Sequence, residues 1–392
     1  MNNRLFKIFL LVLFTSPSLL IAQEEKKDSP WEVDGYIKNL QSASIINFPN
    51  LITGGVDKII LSSNLIHNRL NFTRTIGEKV VFHSSLRNRF LYGDLESPDR
   101  MKEQFEQGND YFDLSLESSQ DSWAAQTIMD RLYLDIYLGD WEMSIGRQRI
   151  NWGISTFWNS NDIFNAYNFT DFDYEERPGS DAILIRKYIG FTSSIEFAIA
   201  ATDDINKLKA GLLYKFNLKN YDYQILAGLS ENYLALGGGW SGAIKQVGFK
   251  GEFNTFSPLG TTGDPANSLS IEFDYINKKA LYFGLGFLYN SLGEADTNIL
   301  NLLDFDISAR NLYPFKTTFF FSMNQSFNPI ISGGLSFLYS PGEAHATFVS
   351  PNLNVSIAQN WDLAFFGQIV LDKQEKYTSP VQGFFLRLKL SF

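Results

Sequence analysis

Side chains that could carry out catalysis are few and far apart in this sequence of 392 residues. Its three histidines, His67, His83 and His345, form no H-E-x-x-H pattern and no other metal-ligand spacing. The run Gly237–Gly242 matches G-x-G-x-x-G, but phosphate binding there requires a following helix, and the surrounding pattern predicts a strand. Its small residues instead leave room for a close neighbour. With no G-x-S-x-G and no cysteine, the sequence predicts no catalytic residues, no metal and no cofactor.

Charged side chains form a clearer pattern than the histidines. When the segment RLNFTRTIGEKVVFHSSLRNRF is folded as a hairpin, Arg69 falls opposite Arg87, and Arg89 falls opposite His67. Like charges in cross-strand register repel one another, so this pattern indicates a surface that faces water. The predicted basic wall consists of Arg69, Arg87, Arg89, Arg131 and Arg387. The predicted acidic residues, on the opposite wall and in a long loop, are Asp171, Asp173, Glu175, Glu176, Glu252, Glu272 and Asp274.

The elements that carry these charges read as β-strands with unlike faces. The run VGFKGEFNTFS places Val247, Phe249 and Phe253 on one face and Lys250 and Glu252 on the other. This period of two is the pattern of a strand with one apolar face. In the hairpin that carries Arg69 and Arg87, both arginines lie on the polar face. If this face lines the interior of a barrel, the apolar face points outward. An apolar exterior with a polar interior is typical of a barrel in a membrane.

The connections between the predicted strands alternate in length. Tight turns, such as Gly139-Asp140 and the three residues from Gly77, alternate with longer loops. The long loops are predicted at 45–61, 93–126, 153–181, 257–267 and 290–311. Short turns on one rim and long loops on the other are typical of an outer-membrane barrel. We therefore predict an all-β fold, a transmembrane antiparallel β-barrel of about 18 strands with short periplasmic turns and long extracellular loops, with 16 strands as the alternative.

The two ends of the chain indicate export and assembly into a membrane. Residues 1–22 carry two basic residues and then an apolar run, which predicts a cleaved signal peptide. We expect a short periplasmic linker at 23–30 and a barrel at 31–392. The sequence ends FFLRLKLSF, and its terminal Phe392 resembles the signal that outer-membrane assembly machinery reads. The expected partners are this machinery, outer-membrane lipids, lipopolysaccharide and small solutes, while a net charge of −10 argues against nucleic acid.

The segment 145–180 is the most distinctive part of the sequence. Its GRQ, NWG-x-STF and RPGS motifs resemble those of an uncharacterised porin-like family of Gram-negative outer-membrane proteins. A looser resemblance, mainly in GRQ, links it to alginate-export-type porins. Both resemblances imply a barrel that acts as a channel. Strict alternation would turn Arg147 and Arg149 toward the outside. Either they lie among lipopolysaccharide phosphates, or a bulge at Gly146 rotates them inward.

The long loop at 153–181 is expected to narrow the barrel. It is rich in aromatic residues, which favour burial by roughly 25 cal/mol per Å² removed from water, and the barrel mouth is the nearest surface. Its acids should approach the basic wall. We therefore predict a passive channel for small polar or charged solutes with 153–181 as an inward constriction. The alternative is a surface-binding or lipid-contacting barrel with a blocked lumen, and an enzyme at the rim is the least favoured reading.

Overall fold

A closed antiparallel β-barrel is formed by the part of the chain that the computed structural model describes, residues 29–49, 56–94, 111–120, 122–166, 177–261, 263–295, 305, 307–343, 345–373 and 376–392. The strands are β1 (Trp31–Pro49), β2 (Val56–Ile76), β3 (Val80–Gly93), β4 (Ser115–Gln120), β5 (Trp123–Leu138), β6 (Trp141–Gln148), β7 (Ser180–Ile189), β8 (Ser193–Ala200), β9 (Lys209–Leu218), β10 (Tyr221–Ser230), β11 (Tyr233–Ile244), β12 (Val247–Pro258), β13 (Ala266–Ile276), β14 (Leu281–Asn290), β15 (Thr317–Ser326), β16 (Ile331–Ser340), β17 (Ala346–Ala358), β18 (Trp361–Lys373) and β19 (Tyr377–Ser391). The first strand pairs with both β2 and β19, and this closes the barrel.

Eighteen of these strands make up the barrel wall, and β4 is an additional short strand at its rim. β6 pairs only with the half of β5 next to the Gly139-Asp140 turn, from Leu132 to Leu138. Beyond the end of β6, the other half of β5 pairs with β4 instead. The prediction of 18 strands is confirmed, and the alternative of 16 is wrong. No helix among the described residues is long and apolar enough to cross a membrane.

The two faces of the wall differ as the alternating pattern predicts. On β12 the ring of Phe253 is half exposed on the outer face, while the neighbouring Glu252 is fully buried on the inner face. Phe249 and Phe273 stack on the outside with ring centroids 5.1 Å apart. Because side chains alternate along a strand, the sequence period directly sorts apolar residues outward and polar residues inward. This arrangement, a polar interior in an apolar shell, is that of a membrane barrel.

The two hairpins examined by their face pattern have the expected register. Leu138 pairs with Trp141 across the Gly139-Asp140 turn. Ile76 pairs with Val80, which leaves a three-residue turn. Residues with positive φ at the tight turns, such as Lys219 (52°) and Asn220 (63°), give the backbone twist that short hairpins need.

Some predicted boundaries are wrong at the long-loop rim. The predicted loop at 45–61 is largely strand, because β1 extends to Pro49 and β2 begins at Val56. In this extension Ile45 pairs with Ile60, and β-branched residues favour paired strands. The predicted loop at 93–126 likewise contains β4 and the beginning of β5. The loop predicted at 153–181 begins earlier than predicted, since β6 already ends at Gln148.

Candidate functional site

Four of the five arginines of the basic wall lie on β2, β3 and β5. Arg69 pairs directly with Arg87, and His67 pairs with Arg89, as the hairpin pattern predicts. The side chains of Arg69 and Arg87 are only 2% and 4% exposed. Two buried guanidinium groups side by side repel each other, so a buried negative charge is needed nearby.

Asp130 supplies that counter-charge. Its Oδ2 lies 2.5 Å from Arg69 Nη1 and 3.2 Å from Arg131 Nη1. Its Oδ1 lies 3.6 Å from Arg87 Nη2. One carboxylate therefore sits among three guanidinium groups, and all four side chains are largely shielded from solvent.

The sequence reasoning missed Asp130 because it assumed unbroken alternation along β5. The pairing of β5 with β3 shifts at this point, where Ser85 pairs with Arg131 and Leu86 pairs with Met129. The residue between them is extra, and such a β-bulge lets two consecutive side chains face the same side. A signal was present in the sequence: the outward residues Met129 and Leu132 are three positions apart instead of two.

The other members of the basic wall lie beside this cluster. Arg89 Nε donates to Gln126 Oε1 at 3.1 Å, and Gln126 in turn donates to Glu117 Oε1 at 2.6 Å. Arg387, on β19, lies 5.1 Å from the ring centre of Phe366. The predicted wall thus extends from β19 across to β5 on the inner face.

The predicted acids Glu252 and Glu272 lie on the opposite wall, and both are fully buried. They are covered by the lumen segment, which we define as residues 152–165. Glu252 accepts backbone N–H hydrogen bonds from Ile154, from Ser155 at 2.7 Å and from Asn161 at 3.0 Å. Two or three backbone N–H bonds stabilise a carboxylate strongly. Glu252 therefore fastens the lumen segment to β12.

Glu272 holds the next part of the lumen segment in the same way. It accepts from the backbone N–H groups of Thr156 and Phe157, both at 2.8 Å. Lys250 Nζ donates to Thr156 Oγ1 at 2.9 Å and lies 3.3 Å from Asp274 Oδ1. The predicted acids of this wall are thus engaged in local contacts with the segment and with Lys250.

Aromatic side chains of the lumen segment form the core of the barrel interior. Trp152 is fully buried, and its indole N–H donates to Glu196 Oε2 at 3.0 Å. Trp158 is also fully buried, and its ring centre lies 6.3 Å from that of Phe320. Phe157 lies closer to Phe320, with 3.8 Å between the two ring centres. The two main apolar clusters of the described residues each contain one of these tryptophans.

Small residues of β11 give the lumen segment room to lie close to the wall. An added Cβ at Gly239 would lie 3.1 Å from Ile154 Cδ1. At Gly237 an added Cβ would overlap the side chain of Asn161. The G-x-G-x-x-G-like run is therefore a surface for close packing of the backbone, as its small residues predict.

Asp162 lies near the C-terminal end of the lumen segment. Its Oδ2 is 3.3 Å from Arg177 Nη1, and the residue is fully buried. Burial raises the pKa of the Asp162 carboxyl to about 7, although Arg177 and Arg149 act in the opposite direction. The predicted acids Asp171, Asp173, Glu175 and Glu176 lie outside the described residues.

The sequence left open whether Arg147 lies among lipopolysaccharide phosphates or is turned inward, and the structure shows its side chain buried. Arg147 is 2% exposed, and its Nη2 lies 2.9 Å from Asp181 Oδ2. It also donates to the carbonyl oxygen of Met129 at 3.2 Å. Gly146 directly before it has φ +122°, a backbone conformation that glycine adopts most readily. Arg149, in contrast, is exposed.

Comparison with known proteins identifies the fold. Neither a protein-family model nor a curated protein sequence matches the chain. Among solved structures, Pseudomonas aeruginosa OccK9 (OpdG) is similar with a TM-score of 0.60 and 10% identity, over 92% of this chain and 98% of that one. Pseudomonas aeruginosa OpdQ gives 0.57 and 8%, over 92% and 97%. Acinetobacter baumannii OccAB4 gives 0.55 and 12%, over 92% and 98%.

The fold is a closed 18-stranded antiparallel β-barrel, and the similarity to these solved structures covers nearly the whole of each chain. At 8–12% identity the similarity extends to the barrel and not to individual lining residues.

Proposed function

We propose that the protein is a passive outer-membrane channel for small polar or charged solutes. The observation that carries this proposal is a closed barrel with an apolar exterior and an interior lined by charged side chains on two opposite walls. In hydrocarbon only a closed barrel satisfies the backbone of every strand, and interior charge is what sets the selectivity of such pores. The similarity to porin structures supports the same function.

We also propose that residues 153–181 narrow the channel. The contacts of Glu252 and Glu272 with backbone N–H groups of the lumen segment support this, because they hold its beginning against the inner wall. Shortening the loop by deleting residues 160–176 should increase single-channel conductance in planar bilayers several-fold. A matched control is deletion of 260–264, in the loop between β12 and β13, which should leave conductance within about a factor of two. Equal conductance of both variants and the parent protein would contradict the constriction.

The basic wall is proposed to set the selectivity of the channel. Arg89 is the best residue for a test, because it is only partly buried and its contact with Gln126 involves a neutral amide. Arg89→Glu should move the reversal potential in a salt gradient toward cation selectivity. Arg74→Glu, on the outward side of β2 near the tight-turn rim, is the control and should leave it unchanged. An unchanged reversal potential in Arg89→Glu would remove the basic wall from the selectivity mechanism.

A second candidate function, a barrel with a blocked lumen that binds ligands at its surface, is favoured by one observation. Arg69, Arg87 and Lys38 are each less than 5% exposed although they face the interior. An interior covered to this extent is expected of a filled barrel. Planar bilayers distinguish the two candidates, since a blocked barrel gives no conductance steps under conditions in which a channel does.

The route to the membrane is part of the proposal. Residues 1–22 are proposed to be a signal peptide and 23–30 a periplasmic linker, followed by the barrel at 31–392. Mass spectrometry of the protein from membranes should then give Gln23 as the first residue. The resemblance of the GRQ–RPGS segment to the uncharacterised porin-like family, and of GRQ to alginate-export-type porins, remains a prediction.

A further inference from the structure

Five backbone N–H groups of the lumen segment donate to only two side chains, the carboxylates of Glu252 and Glu272. The donors are those of Ile154, Ser155, Thr156, Phe157 and Asn161. Oε1 of Glu252 accepts two of these bonds, and each of the other three carboxylate oxygens accepts one. The two glutamates are 0% and 1% exposed. Two buried carboxylates thus hold the middle of the segment against the inner wall.

The strength of these bonds depends on the negative charge of the acceptors. A hydrogen bond to a carboxylate is roughly twice as strong as one between neutral groups. Because every oxygen of both glutamates already accepts an N–H, a proton on any of them converts an acceptor into an O–H group, which accepts poorly. Uptake of a proton by either side chain therefore weakens the contact of the segment with the wall.

Glu252 has no neighbouring cation to keep its charge. The carboxylate of Asp162, in the lumen segment, acts on it repulsively. Its partners on the two adjacent strands are uncharged, Gly239 on β11 and Ser270 on β13. Arg177 lies 3.3 Å from Asp162 and forms no ion pair with Glu252.

Glu272 has one cation near it, and this cation is shared. Lys250 is its direct partner on β12, but Lys250 Nζ lies 3.3 Å from Asp274 Oδ1. On β14 its partner is Gly286, and the hydroxyl of Tyr282 on the same strand is the other titratable group that interacts with it. Within the described part of the chain, neither glutamate forms an ion pair.

The beginning of the lumen segment is held by a carboxylate in different surroundings. Glu196 accepts from the indole N–H of Trp152 and lies 2.9 Å from Lys215 Nζ and 3.1 Å from Arg186 Nε. Two cations in contact favour the charged form of this carboxylate. We therefore expect this contact to persist under acid conditions that protonate the glutamates of β12 and β13.

We propose that Glu252 and Glu272 form an acid latch, which holds residues 154–161 against the inner wall at neutral pH and releases them in acid. The latch is closed while both carboxylates are charged, and it opens as they take up protons. Trp152 stays attached to Glu196, so the segment becomes mobile without leaving the lumen. The effect on the channel rests on the constriction proposed above, since release should widen the passage.

The release can be measured without reference to conduction. The sequence contains no cysteine, so Thr156→Cys provides a single site for a nitroxide spin label on an exposed position of the segment. This substitution keeps the backbone N–H that donates to Glu272. The full-length labelled barrel is refolded in detergent and studied by electron paramagnetic resonance. The label should be immobilised at about pH 7.5 and mobile at about pH 4, close to the pKa of a glutamate in water, and the change should be reversible.

Variants of the labelled chain assign the effect to the two glutamates. Glu252→Gln and Glu272→Gln keep the size and remove the charge, so each should increase the mobile component at neutral pH. The double variant should show no further change in acid. Asp222→Asn removes an exposed carboxylate of β10, bound to Asn217 at 2.8 Å, and should keep the parent response. Each variant is checked for the heat-modifiable mobility of a folded barrel.

Two results would overturn the latch: a parent label that stays immobilised in acid, or a double variant that keeps the parent response. The titration of the parent decides the question even if the double variant does not refold. Single-channel conductance then separates the latch from the constriction, because both together predict a several-fold rise in acid. A label released by acid at constant conductance supports the latch and contradicts the constriction. A rise in conductance with an immobilised label contradicts the latch.

Discussion

Replacing Asp130 by Asn tests whether one bulged carboxylate holds the basic wall together. The substitution keeps the size of the side chain and removes its charge, so it creates no cavity. The three guanidinium groups of Arg69, Arg87 and Arg131 then lose the carboxylate that lies 2.5–3.6 Å from them. What remains is a set of cations on the inner wall with reduced exposure to water.

The expected loss of stability follows from these distances. At an effective dielectric constant of about 20, each of the three contacts has a Coulomb energy of roughly 5 kcal/mol. Repulsion among the guanidinium groups and the cost of desolvation cancel much of this energy. Measured losses on breaking a buried ion pair are about 3–5 kcal/mol, and we expect Asp130→Asn to fall in that range.

The measurement is the urea dependence of unfolding of the refolded barrel in detergent, monitored by tryptophan fluorescence and by heat-modifiable mobility. Asp222→Asn serves as the matched control, because its carboxylate is exposed and has an amide partner. The control should change the free energy of unfolding by less than about 0.5 kcal/mol. If Asp130→Asn and Asp222→Asn unfold at the same urea concentration, the reasoning about the buried cluster is refuted.

Two further substitutions test the assembly signal and the backbone at β6. Phe392→Ser should deplete folded, heat-modifiable protein in the outer membrane, because it removes the terminal aromatic residue of the apolar face of the last strand. Ser391→Ala is the control. A normal level of folded Phe392→Ser protein would contradict the assembly signal. Gly146→Ala should lower the free energy of unfolding by more than about 1 kcal/mol, since φ is +122° and the added Cβ would meet the backbone of Leu132. Unchanged urea unfolding of Gly146→Ala would show that this backbone conformation is not required.

The register of the wall could be predicted because alternation and turn length constrain it together. A one-residue slip between β2 and β3 would turn Leu70 and Phe72 inward, so the hydrophobic pattern admits only the pairing of Arg69 with Arg87. The bulge at Asp130 breaks this logic locally, since one extra residue reverses the alternation beyond it. The extension of β1 and β2 beyond the predicted rim was missed for another reason. Strands can continue past the apolar belt, where alternation no longer marks them.

The wall that the lumen segment meets could not be predicted from the charge of the loop. The acids of 153–181 suggested attraction to the basic wall, yet its described beginning lies against Glu252 and Glu272. The loop is not uniform: residues 153–166 contain a single acid, Asp162, and the other acids follow from 171 onward. The described beginning of the loop contacts the wall through backbone N–H groups, which bind carboxylates whatever the side chains are. The position of this segment therefore depends on backbone N–H groups, which the amino-acid composition of the loop does not reveal.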